Sequence, residues 1–111
     1  MEIDLVGMRA EAEILLERLD GTPQWPDLRA IHMDVAPLLG RLQGAVGARR
    51  RELGDTPQVR EAETALEGVK ASSRQVGADI RLASEDALAL GLRTTIDGAL
   101  EVIGLLERSL A

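Results

Sequence analysis

Several residue types are missing from this chain or nearly so. It has no cysteine, no phenylalanine and no tyrosine, and its one tryptophan is Trp25. Without cysteine there is no disulfide, no thiolate nucleophile and no cysteine-ligated metal site. Without Phe and Tyr the core has to be built from Leu, Ile, Val and Ala, which let neighbouring helices approach closely. His32 is the only histidine. A lone imidazole cannot build a histidine-based metal cluster, and no Glu-x-x-His spacing accompanies it. Basic residues are outnumbered by acidic ones, 13 to 19, and the net charge of -6 repels phosphate backbones. Nucleic acid is therefore not an expected partner. The longest charge-free stretch, 42–48, is far short of the roughly 20 apolar residues that cross a bilayer. Met1-Glu2-Ile3-Asp4 opens acidic, with no basic region ahead of an apolar one, so no secretory signal is visible. The expectation is a cytoplasmic protein that needs no cofactor or metal and does not insert into membranes.

What is present is helical pattern. The 111 residues suit one domain. Leu5, Met8, Ala12, Leu15 and Leu19 step by three and four, the spacing of one helical face, and Ile14 and Leu16 widen that stripe. The same alternation recurs through Leu28, Ile31, Val35, Leu38 and Leu42, then through Val59, Ala62, Leu66, Val69 and Val76. It recurs again through Leu88, Leu92, Ile96, Ala99, Ile103, Leu106 and Leu110. Period-two alternation and Asn-Gly turns are absent, which removes strands from consideration. The pattern predicts an all-α antiparallel bundle of about four helices over 3–19, 27–53, 57–82 and 85–110, in a chain that dimerises. Ala87 and Leu90 also continue the third stripe, so a merged third and fourth helix is the alternative. Ser84-Glu85-Asp86, a cap followed by acidic first-turn residues, favours a break.

The tripeptide Thr-Pro-Gln occurs at Thr22 and again at Thr56. The offset of 34 is similar to the period of tetratricopeptide repeats, but the Trp-Leu-Gly-Tyr and Ala-Phe-Pro positions of that family have no counterpart here. Helix-start chemistry explains the pair. At Thr56 the hydroxyl can cap and Pro57 fits the first turn. At Thr22 the pattern is spoiled by Pro26, so a turn is expected there, with the second helix restarting near Pro26 or Asp27.

Small residues recur every four positions at Ala36, Gly40, Gly44 and Ala48, and again at Ala83, Ala87, Gly91, Thr95 and Ala99. Interior glycine weakens a helix by about 1 kcal/mol relative to alanine, so a row of small residues implies close backbone approach. The approach is either intramolecular or a homodimer seam. Trp25, flanked by Pro23 and Pro26, is either a lid on the bundle end or an anchor for a partner. Arg49-Arg50-Arg51 falls where a helix ends, and there cations complement the dipole.

Catalytic signatures are missing. No serine or threonine has a neighbouring His-Asp context, no glycine-rich phosphate loop occurs, and Glu61 and Glu63 fall on different helical faces. His32-Met33-Asp34-Val35-Ala36-Pro37-Leu38 resembles the His-x-x-x-x-Pro-Leu core of the histidine-kinase dimerisation helix, although Met33 stands where that family carries an acidic residue. The resemblance implies a histidine-phosphotransfer or signalling dimerisation module with His32 as phospho-acceptor. The leading expectation remains a non-enzymatic protein–protein interaction module: an adaptor, assembly factor or secretion-type chaperone. Its expected contact residues are Trp25, Ala36, Gly40, Gly44, Ala87 and Gly91.

Overall fold

A computed structural model describes residues 3–21 and 23–109. Each helix in it begins where the side chains can satisfy the orphan N–H groups of a first turn. α1 (Leu5–Asp20) opens on Asp4, whose carboxylate accepts from the Gly7 N–H at 2.8 Å. α2 (Trp25–Leu53) opens on Gln24, whose N–H donates to the Asp27 carboxylate at 3.0 Å. α3 (Pro57–Asp79) opens on Thr56, whose hydroxyl accepts from the Val59 N–H at 3.2 Å. α4 (Glu85–Arg108) opens on Ser84, whose hydroxyl accepts from the Ala87 N–H at 3.2 Å. The third and fourth helices are therefore separate, and no strand occurs among the described residues.

Several boundaries differ from the periodic reading, α1 ending at Asp20 rather than at position 19 and α4 at Arg108 rather than at position 110. α1 starts at Leu5 rather than at position 3, because Asp4 caps it. α2 starts two residues before position 27, because Pro26 lies in the first turn, where its missing N–H goes unneeded. α3 stops at Asp79 rather than at position 82: the N–H groups of Leu82 and Ala83 both turn back to the Asp79 carbonyl at 2.8 Å, closing a tight corner. Thr22 and the expected last residue of the fourth helix, Leu110, lie outside the described residues. Between α2 and α3 the chain turns at Gly54, whose φ of 76° favours a residue without a Cβ.

The four helices pack against one another in a body of 42 × 23 × 18 Å. The long axis matches α2, whose 29 residues rise about 1.5 Å each, and the short axis fits two helix layers. α4 touches all three other helices, whereas α1 and α3 do not meet. α4 is accordingly the most deeply sunk: Leu92, Ile96, Ala99, Val102, Ile103 and Leu106 have at most 1% of their surface exposed. Leu28, Ile31, Leu38 and Leu42 of α2 and Ala62 and Leu66 of α3 complete a single aliphatic core. Ile14 does not join it. At 57% exposed it stands outside the stripe it was expected to widen. Ion pairs cross the surface between helices, among them Arg18–Asp34 at 2.7 Å, Arg93–Asp20 at 2.6 Å, Arg9–Glu107 and Arg41–Glu11. Exposed pairs of this kind each contribute about 0–1 kcal/mol, so they fix register more than stability.

Candidate functional site

The two rows of small residues both run from the surface into the core. On α2, Ala36, Gly40 and Gly44 are exposed, and a Cβ added at Gly40 or Gly44 would meet nothing within 4 Å. Among the described residues no helix packs on these three, so the intramolecular explanation fails for them, whereas Ala48, the last of the row, is buried at 7% exposure. On α4 the row twists from outside to inside. Ala87 is exposed, Gly91 is half-buried, and Thr95 and Ala99 are fully buried. A strict spacing of four drifts by about 40° per step on a helix of 3.6 residues per turn, so its ends cannot share one environment.

Close approach inside the bundle is concentrated between α3 and α4. A Cβ at Gly91 would lie 2.9 Å from a Val76 methyl, and one at Gly98 would lie 2.7 Å from a Val69 methyl. Between these contacts the Ser72 and Thr95 hydroxyls share a hydrogen bond of 2.8 Å, and Thr95 also donates to the Gly91 carbonyl at 2.9 Å. Gly98 was not singled out in the sequence, because the valine that requires it lies on another helix. Gly77 was missed for the same reason. A Cβ there would come within 3.3 Å of His32 Nε2.

His32 thus packs against α3, half-buried, and its Nδ1 is buried without a hydrogen-bond partner among the described residues. Trp25 is part lid and part surface. Its indole N–H donates to the Ile80 carbonyl at 2.7 Å, satisfying an orphan acceptor at the end of α3, and 37% of the residue remains exposed. The Arg29 guanidinium lies over the ring, 5.7 Å from its centre. The arginine triplet lies near the end of α2, as its charge suggests, but its members differ. Arg49 is 5% exposed and bonds Ser109 and Glu52, Arg50 pairs with Glu63 at 2.8 Å, and Arg51 is exposed.

Two open grooves carry apolar surface. One, of about 410 Å³, lies between α1 and α2 and is lined by Gly7, Ala10, Ile14, Leu15 and Pro37, with Glu11, Arg18 and Asp34 along its edges. Val6 on α1 and Met33 on α2 are 79% and 64% exposed. The other, of about 370 Å³, lies between α3 and the first half of α4, and Leu90, on its wall, is 66% exposed. Leu82, in the adjoining turn, is 87% exposed. Among the described residues, no group of three or more His, Asp or Glu side chains converges in a way that could hold a metal ion. No helix of the described residues is long and apolar enough to cross a membrane. No known protein family, curated protein or solved structure matches the chain.

Proposed function

We propose that this chain is a non-enzymatic helical interaction module. In this reading it pairs with itself as a homodimer and serves in the cytoplasm as an adaptor, assembly factor or secretion-type chaperone. Each copy is an antiparallel bundle, an order supported by the contacts of Val69 with Gly98, Val76 with Gly91 and Arg9 with Glu107.

The observation that carries the reading is the placement of the large apolar side chains left over from the core. Val6, Ile14, Met33, Leu82 and Leu90 are between 57% and 87% exposed; Ile14 and Leu90 line two apolar grooves on different parts of the surface, and Val6, Met33 and Leu82 are each next in sequence to a residue that lines one. Single exposed apolar residues are ordinary, whereas groups beside a groove mark contact surfaces. The bare backbone at Gly40 and Gly44 supports the same reading, since nothing among the described residues of one copy requires it. Two faces on so small a chain suit a protein that meets a copy of itself on one and a partner on the other.

The test is the mass in solution, by sedimentation equilibrium, combined with affinity capture from cell extract. The expected result is twice the 11.9 kDa of the chain and a reproducible partner. A species of one chain's mass at every concentration, with no specific partner recovered, refutes the proposal.

A further inference from the structure

The outer face of α4 has the makings of a two-fold contact. Such a contact must be self-complementary, because the same patch supplies both sides. Here a projection and a recess lie side by side. Leu90 stands 66% exposed on the wall of a cleft of about 370 Å³. Ser72, Val76, Ala83, Ala87, Gly91 and Thr94, most of them small enough to leave the recess open, line it together with Gln75, Leu88 and the acidic Asp79. Asp97 lies seven positions after Leu90 within α4, so the two share one helical face across two turns.

Charge also identifies the occupant. A chain carrying -6 repels its own copy unless the meeting patch holds both signs. This patch does. Arg81, in the turn before α4, and Asp97, on its outer face, are both exposed, and neither makes an ion pair among the described residues. Arg81 comes before Leu90, in the turn that leads into α4, and Asp97 comes after it, about 10 Å further along the helix at 1.5 Å per residue. A second copy turned by a two-fold axis beside Leu90 brings its own Asp97 toward Arg81, and its own Arg81 toward Asp97.

We infer that a second copy of this chain docks on the outer face of α4, each Leu90 entering the α3–α4 cleft of the other and each Arg81 meeting the other's Asp97. The inference rests on the self-association proposed above and assigns it to one face.

Sedimentation equilibrium on the full chain and its variants tests it, with circular dichroism to check folding. Leu90→Glu should raise the dissociation constant roughly tenfold or more while helicity stays that of the parent. Ala87→Arg, which fills the same recess from an exposed position, should do likewise. Arg81→Glu and Asp97→Arg should each weaken the dimer, and the two together should restore it. A parent dimer that Leu90→Glu and Ala87→Arg leave intact overturns the assignment to this face and leaves self-association standing. A double charge exchange no tighter than either single change overturns the two-fold pairing. A parent chain that is monomeric throughout overturns both this inference and the homodimer.

Discussion

The same substitution, glycine to alanine, should have opposite effects at Gly98 and Gly40. Replacing an interior helical glycine by alanine favours the helix by about 0.8–1 kcal/mol, chiefly through backbone entropy. At Gly40 nothing opposes that gain, because the new methyl meets no atom within 4 Å. At Gly98 it would lie 2.7 Å from a Val69 methyl. Val69 is 4% exposed, and in a helix valine holds almost a single rotamer, so it cannot swing clear. Moving α3 away instead loosens a packed seam, at about 1–3 kcal/mol for overfilling. The net expectation is a gain of nearly 1 kcal/mol for Gly40→Ala and a loss of about 1 kcal/mol for Gly98→Ala. Each corresponds to about 4 °C in Tm for a chain of this size. Thermal and urea unfolding at one fixed protein concentration measure both. In a Val69→Ala background the obstruction is gone, so Gly98→Ala should become stabilising. Gly98→Ala raising Tm as much as Gly40→Ala, in the presence of Val69, would refute the close approach of α3 and α4.

Other changes test other parts of the bundle. Trp25→Phe keeps an aromatic ring, though a smaller one, and leaves the Ile80 carbonyl without its indole donor, and unfolding should show a loss of about 1 kcal/mol. Thr95→Val keeps volume but removes a buried hydroxyl shared with Ser72. It should lose about 1–2 kcal/mol, and combining it with Ser72→Ala should lose less than the sum of the two single changes. Ser84→Ala removes the cap that separates α4 from the preceding turn and should lower stability by about 1 kcal/mol in the same unfolding experiment.

The sequence was a good guide to the fold, and for a physical reason. Helix periodicity is local, and Thr56 and Ser84 cap residues only three positions away, so stripes and starts can be read from one stretch of chain. The end of α3 was harder to read, since the corner at Asp79 is made by backbone N–H groups and no glycine announces it. The candidate site was legible only in part. Spacing shows that Ala36, Gly40 and Gly44 share a face, but it does not say whether a helix lies opposite. On α4 the drift of the four-residue row carried Ala87 outward and Ala99 inward. The glycines that matter inside the bundle, Gly77 and Gly98, answer to His32 and Val69 on other helices, and no local pattern records that pairing. Leu90 would continue the third stripe only if α3 and α4 were one helix; it faces outward, because α4 begins afresh at Ser84 with its own phase.

Because the chain has no cysteine, Leu90→Cys places a lone thiol on the outer face of α4. Treating this variant with a short bis-maleimide linker tests the self-pairing of the module most directly, with Gly40→Cys on the exposed face of α2 as the comparison. The expected product is a covalent dimer of twice 11.9 kDa that forms readily from Leu90→Cys and far more slowly from Gly40→Cys. Equal, collision-limited rates for the two variants would contradict it.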